Sequence, residues 1–295
     1  MATEALAALV RLNIVASVAI ALVFLLRPAV RRSCGPHKAY ALWLMVPLAM
    51  AGATVPSAAA SGPMGPLEAA AGRAEAWLSA GLHGPALGAA WALGLLVSFG
   101  LVAWRYARFM AQARAGLAGP AIVGVLAPRL VTPADFSVRF TPEERRLVRA
   151  HERAHMDRLD ARWNALALVL QCLNWFNPLV HVAVRAMRFD QELACDATVM
   201  ARLPAERRRY AEALLRCHEA TIVSPLGCGW TGFAARALAM RLTVLMQPRP
   251  GEARRSLAGL LLATLWMATL AGAWAAQPPH RVDEATRFVL LDLTP

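Results

Sequence analysis

His151-Glu152-Arg153-Ala154-His155 sets two imidazoles and a carboxylate within five residues of a run that reads as helix. Four residues make about one helical turn, so His151 and His155 share a face, one turn apart. Two imidazoles so placed can hold one zinc ion, and Glu152 lies where a carboxylate can take a proton from an activated water. The bland alternative is a pair of solvated surface histidines, because so short a pattern also arises by chance. Catalytic zinc sites of this plan need a third protein ligand and leave a fourth position for water. His181, Glu192, Asp196, Glu206, Glu212 and His218 are the candidates. Glu192 is preferred, because it lies on a later helix with Asp196 one turn further on. There a carboxylate can accept a hydrogen bond from a ligand histidine and fix its tautomer. The alternative for Glu192 and Asp196 is a solvated acidic face, and His181 reads mainly as a packed or surface histidine.

Local signals define the elements that must carry these groups. Thr141-Pro142-Glu143-Glu144 predicts a helix start with a Thr cap, Pro at the first position and a reciprocating Glu. Leu147, Val148 and Ala154 supply its apolar side, while Arg145, Arg146, Arg149 and Arg153 are mostly free to face solvent. Asn177 and Pro178 start the helix that bears Glu192. Upstream, Ala121–Leu126 and Leu130-Val131 read as two short strands, whose open edge could pair with an extended peptide or could serve only as support. Residues 163–184 are apolar but interrupted by Asn174, Asn177 and Pro178. The uninterrupted part, Trp163 to Leu173, is too short to span and reads as a core helix packed behind the zinc site that could touch the membrane, with a re-entrant segment as the alternative. Pro204 to Ala220 reads as an Arg-rich amphipathic helix with a solvated face. A Gly/Pro loop and a helix from about Phe233 to Met246 follow.

Three ordered stretches carry a family resemblance. They are His151-Glu152-x-x-His155, Asn174-Trp175-Phe176-Asn177-Pro178-Leu179-Val180, and Asp190-Gln191-Glu192-Leu193-Ala194-Cys195-Asp196-Ala197. With Pro128-Arg129-Leu130-Val131-Thr132-Pro133 and Phe136 before them, they resemble the BlaR/MecR-type membrane zinc peptidases, the antirepressor and beta-lactam sensor-transducer family. The likeness is close from about Gly119 to Met200 and looser over the membrane spans. It implies His151, His155 and Glu192 as zinc ligands, Glu152 as catalytic base and Asp196 as the partner of a ligand histidine. Well-known members of that family carry an outer penicillin-binding sensor with a Ser-x-x-Lys nucleophile. Here only a short tail follows Trp274, and it holds no lysine, so no acylation domain is expected in this chain. That leaves a partner protein, the outer loop or the membrane state as the stimulus, or the chain as a fragment of something longer.

Composition frames the whole. With 58% hydrophobic residues and 17% charged among 295, the chain is too apolar for an ordinary soluble domain and reads as a membrane protein. The formal charge of +12 comes almost wholly from arginine, since Lys38 is the only lysine. Those arginines cluster beside apolar runs, as topology signals do, so direct nucleic-acid binding is not expected. Cys34, Cys172, Cys195, Cys217 and Cys228 form no C-x-x-C and no even framework, so disulfides are not expected. Cys195 reads as a small buried residue, with a metal ligand or redox-sensitive thiol as the alternatives.

Apolar runs at about 5–26, 39–55 and 86–104 predict three transmembrane helices within residues 1–104, with an outer loop at 56–85. A cleaved signal peptide would carry its basic end first, whereas here Arg27, Arg31, Arg32 and Lys38 follow the first run. A domain over 105–255, a fourth span at 256–276 and a short outer tail at 277–295 complete the division. Within the tail, Arg287 to Leu293 has room for one strand. Basic flanks place both termini outside and the domain in the cytoplasm, as in a bacterial-type inner membrane.

The expected fold is a mainly α membrane protein with four transmembrane helices and a cytoplasmic zincin-like helical domain carrying a small β-hairpin. The expected function is an integral-membrane zinc (Zn2+) metalloendopeptidase of a signalling pathway. Its partners would be the lipid bilayer and a protein substrate, for which the resemblance implies a DNA-binding repressor or the chain itself. A second copy of the chain is a further candidate partner. A membrane quality-control or maturation protease, and a transducer without turnover, are the alternatives.

Overall fold

The structure is a computed structural model that describes residues 2–55, 73, 83–218, 235–247 and 251–275. Most of the loop 56–85, the Gly/Pro loop after Ala220, Phe233 and the tail 277–295 with its expected strand fall outside them. The described chain is mainly helical with one two-stranded sheet.

Among the described residues three helices are long and apolar enough to cross a bilayer, over Ala8–Cys34, Pro85–Arg114 and Glu252–Ala275. They belong to α1 (Ala2–Cys34), α4 (His83–Arg114) and α11 (Glu252–Ala275). The expected second span is divided into α2 (Pro36–Ala41), a 3-10 turn (Leu42–Leu44) and α3 (Met45–Thr54). Pro47 explains the break: it has no N–H to offer the carbonyl one turn back, so the turn ahead of it tightens. At ten residues α3 alone covers about 15 Å, while Pro36–Thr54 taken together rises about 28 Å, near the thickness of a hydrocarbon core.

Contacts divide the chain into two units. In the one built from Met1–Ala21, Leu44–Gly88 and Ala263–Pro295, α3 approaches α11 so closely that a Cβ on Gly52 would strike the Leu270 carbonyl. The other unit joins Leu22–Trp43 to Ala89–Leu262 and holds every candidate ligand. In it β1 (Ala121–Val123) pairs antiparallel with β2 (Arg129–Val131), Ala121 facing Val131. Gly124, at φ 91°, makes the turn, and any Cβ there would hit the Ala127 carbonyl.

After the short α5 (Phe136–Arg139) come α6 (Pro142–Asp157), α7 (Asp160–Leu173), α8 (Pro178–Arg202), α9 (Arg207–His218) and α10 (Ala235–Met246). The long α8 is the spine, against which α2, α6, α7 and α10 all pack. Phe136, Phe140, Leu147, Val148, Val199, Met200, Leu214 and Leu245 close the core between α5, α6, α8, α9 and α10. The apolar side of α6 therefore faces inward, and its two histidines, on the same side, are drawn in with it.

Candidate metal centre

The start of α6 is built as its sequence dictates. Glu144 N donates to Thr141 Oγ1 at 3.3 Å and Thr141 N donates back to Glu144 Oε2 at 2.9 Å. At the start of α8, Leu179 N donates to Asn177 Oδ1 at 2.9 Å, with Pro178 at the first position. These two fixed starts set which faces of α6 and α8 meet.

What meets is His151, His155 and Glu192, all buried, with one donor atom each within 4.8 Å of the others. The two Nε2 atoms lie 3.0 Å apart, and Glu192 reaches them at 3.3 Å (His151) and 3.5 Å (His155). Donors about 2.0–2.2 Å from a tetrahedral zinc lie about 3.3 Å from one another, so the triangle has the right size.

Behind the rings, hydrogen bonds fix the tautomers. The Tyr210 hydroxyl donates to Asp196 Oδ1 at 2.7 Å and lies 2.7 Å from His151 Nδ1. Its one proton is committed to the carboxylate, so Nδ1 of His151 must be the donor to the phenol oxygen. Asp160 Oδ2 sits 2.8 Å from His155 Nδ1, and a carboxylate only accepts, so that Nδ1 also carries its proton. Both Nε2 atoms then present lone pairs to each other across 3.0 Å, beside a carboxylate. That arrangement of neutral rings calls for a positive charge between them, which a proton on His151 or a divalent cation supplies.

The electrostatics agree. Burial draws His151 toward its neutral form, but Asp196 and Glu192 outweigh it and push the ring up to about 9. Burial pushes Glu192 up, yet Arg241, then His155 and His151, bring it below the ordinary carboxylate range. Asp196 is held down likewise, chiefly by Arg241 against its own burial. Burial and Asp196 raise the Tyr210 phenol well above its ordinary value, which keeps it a donor.

A family model described as BlaR1 peptidase M56 matches residues 7–80 and 105–245, well over half of the chain. The chain belongs to this BlaR1 peptidase M56 family. The regulatory protein BlaR1 of Bacillus licheniformis is 32% identical over 98 residues, 33% of this chain and 16% of that protein. The methicillin resistance mecR1 protein of Staphylococcus aureus (strain Mu50 / ATCC 700699) is 29% identical over 99 residues, and so is that of Staphylococcus epidermidis. Those matches cover 33% of this chain and 17% of each relative. The matched stretch is thus a small part of each. No solved structure matches.

For this M56 chain the remaining third-ligand candidates have other partners. His181 bonds Gln171 and the Trp175 carbonyl, Glu206 pairs with Arg146 and Arg209, and Glu212 pairs with Arg208. The side chain of His218 lies outside the described residues. Glu152 is 1% exposed in the same interior, where burial and then its carboxylate push the Cys217 thiol upward. Among the described residues Cys34, Cys172, Cys195 and Cys217 are free thiols.

Cys195, Asp160 and His155 make a second compact group, with Sγ 3.2 Å from His155 Nδ1 and 3.5 Å from Asp160 Oδ2. It shares His155 through the nitrogen already donating to Asp160, and Arg158 lies 3.5 Å from Sγ and 3.6 Å from Asp160. A guanidinium at that distance disfavours a cation there. Three residues not singled out in the sequence stand behind the centre: Asp160, Tyr210 and Arg241. Arg241 grips both Asp196 oxygens at 2.7 and 2.8 Å and reaches Glu192 Oε2 at 3.2 Å. Only Tyr210 left a trace in the sequence, heading an apolar stripe with Ala213, Leu214 and Cys217 on the otherwise basic α9.

Proposed function

We propose that this chain is an integral-membrane zinc endopeptidase of a signalling pathway, with His151, His155 and Glu192 as ligands and Glu152 as general base. The observation that carries the reading is the pair of proton-bearing Nδ1 atoms, which turns both Nε2 lone pairs and Glu192 onto one point. When bound there, zinc supplies Lewis-acid polarisation of a scissile carbonyl and of water. Glu152 takes the proton of the attacking water on a carboxylate oxygen and passes it to the leaving amine. Asp160, and Asp196 through Tyr210, hold the imidazoles in the tautomer that binds metal. An extended substrate pairs with the free edge of the β1–β2 hairpin.

With α2 and α3 together (Pro36–Thr54) taken as the second crossing, Arg27, Arg31, Arg32 and Lys38, then Arg105, Arg108 and Arg114, flank the apolar helices on one side and support a cytoplasmic site with both termini outside. Two of them also work inside the fold, since Arg27 and Arg31 each reach buried Asp190 at 3.3 Å. The substrate we propose is a transcriptional repressor or the chain itself, and a second copy is a further partner.

The test compares wild type with Glu152→Ala and His151→Ala in lipid nanodiscs, reading zinc stoichiometry beside cleavage. Glu152→Ala should keep zinc and lose cleavage; His151→Ala should lose both. Turnover by Glu152→Ala would remove it as base, and stoichiometric zinc in His151→Ala would remove that ligand. Proteomics of cleaved cytoplasmic proteins, wild type against Glu152→Ala, then identifies the substrate. Membrane debris instead of a repressor would make this a quality-control enzyme, and no cleavage at all would make it a transducer.

A further inference from the structure

From Trp163 to Val184 the chain carries no formal charge. This stretch forms most of α7, the turn at 174–177 and the first turns of α8. At 1.5 Å per residue α7 rises about 20 Å from Asp160 to the turn, and α8 comes back beside it.

The residues at the turn fix its depth. Trp91 Nε1 donates to the Leu173 carbonyl at 3.0 Å, and Trp175 Nε1 donates to the Trp91 carbonyl at 3.3 Å. Gly94 lies so close that a Cβ on it would run into the Trp175 indole. Trp91 and Gly94 belong to α4, whose uncharged stretch at 84–104 is about 32 Å long, the thickness of a hydrocarbon core. Trp91 is about 12 Å from one end of that stretch and about 21 Å from Arg105 at the other. Whichever end of α4 faces the cytoplasm, the turn it grips lies at hydrocarbon depth.

The surface and interior of the segment fit the same solvent. Outward it exposes Trp163 (40%), Leu166 (39%), Val169 (42%), Phe176 (48%) and Val182 (49%), large apolar side chains along its length. Its polar groups satisfy one another, partly buried or at the surface. His181 Nε2 donates to the Trp175 carbonyl at 2.8 Å, and its Nδ1 accepts from Gln171 at 2.6 Å. Asn174 Nδ2 donates to the Leu170 carbonyl at 2.8 Å, and Asn177 N donates to the Asn174 carbonyl at 2.9 Å. Internal pairing of this kind is optional in water and obligatory in lipid.

We propose that α7, its turn and the start of α8 form a re-entrant helical hairpin embedded beside α4, with lipid acyl chains covering its exposed face. The proposal rests on α4 crossing the bilayer and is independent of peptidase activity. Exposed Arg185, about 10 Å back from the turn, reaches the interface by its long stem. The two feet of the hairpin are Asp160, which holds His155, and Gln191-Glu192, so the lipid-embedded segment also anchors the metal centre at the membrane face.

The test uses the full chain in phosphatidylcholine–phosphatidylglycerol proteoliposomes, with nitroxide labels placed singly at Val169, Phe176 and Val182. Leu96 on α4 serves as the lipid reference and Val138, on the surface of the other helices, as the aqueous one. The expected result is an oxygen-over-nickel-chelate accessibility ratio at all three sites like that of Leu96. Ratios like that of Val138 would overturn the proposal. Low accessibility to both reagents, with dipolar broadening, would put a second copy on this face and overturn lipid as its occupant. An aqueous Leu96 would overturn the spanning of α4 and the hairpin together, and so is told apart from failure of the hairpin alone. Photolabelling of the unmodified chain by a diazirine fatty acid provides a check free of substitutions. Label between 163 and 184 supports the hairpin, and label confined to the three long helices overturns it.

Discussion

The two histidines look alike in sequence, yet they are held from opposite sides of the fold. His151 is backed by Tyr210, then Asp196, then Arg241, from α9, α8 and α10. His155 is backed by Asp160 directly, and Asp160 Oδ1 accepts from Tyr40 of α2, just past the first membrane helix. Gln191, next to Glu192, donates to the same Tyr40 hydroxyl at 2.9 Å, and Asp190 accepts from Trp43 Nε1 at 2.9 Å. One imidazole is thus anchored in the helical core and the other is tied to α2 through Asp160 and Tyr40, while Glu192 stands between them, paired with Arg241 of the core side and adjoining Gln191. A displacement of Tyr40 would reach His155 through Asp160 before it reached His151.

The largest effect should come from the core side. Arg241→Leu leaves Asp196, which is fully buried, without its bidentate partner, and should cost about 3–5 kcal/mol, read as a fall in thermal midpoint in detergent. An unchanged midpoint would break the claim that this side is a rigid anchor. Asp160→Ala should weaken zinc binding by about 10–100-fold in chelator competition, since His155 loses the group that fixes its tautomer. Tyr210→Phe should cost less than about tenfold, because Asp196 Oδ1 already lies 3.3 Å from His151 Nδ1 and can take over. If Tyr210→Phe proves worse than Asp160→Ala, the ranking of the two sides is reversed. Tyr40→Phe should cost about 1 kcal/mol in stability and weaken zinc binding less than Asp160→Ala does, the smallest effect of the four.

Much of this was legible in the sequence, and what was not has physical reasons. The starts of α6 and α8 could be read because caps are local: Thr141 with Glu144, and Asn177 with Pro178, need no distant partner. Helical spacing pairs His151 with His155 and Glu192 with Asp196, whereas the joining of the two pairs was implied by the family resemblance and not by spacing. Asp160 was hidden because it faces His155 only through Leu159, which takes a left-handed conformation (φ 58°) that nothing in its side chain invites. Tyr210 and Arg241 were hidden because their partners lie 14 and 45 residues away along the chain. The run at 39–55 has the composition of a span, but a 3-10 turn at Leu42–Leu44 interrupts its α-helix, and its first part is drawn to α8 by Tyr40 and Trp43.

The metal-free protein should also reveal its site through pH. His151 is pushed up to about 9 against an ordinary 6.5, so its contribution to stability is full below about 6.5 and is lost as pH rises through about 9. A metal must displace that proton, so zinc affinity should rise about tenfold per pH unit from 6.5 toward 9 and then level off. A profile flat across that range would contradict the proton-bearing site.

X-ray absorption at the zinc edge of the full-length protein tests the central claim most directly. The account predicts a shell of nitrogen and oxygen only, at about 2.0–2.2 Å, with multiple scattering from two imidazoles. A sulfur at about 2.3 Å would move the ion to Cys195, Asp160 and His155, and a zinc-free protein would contradict the metal centre altogether.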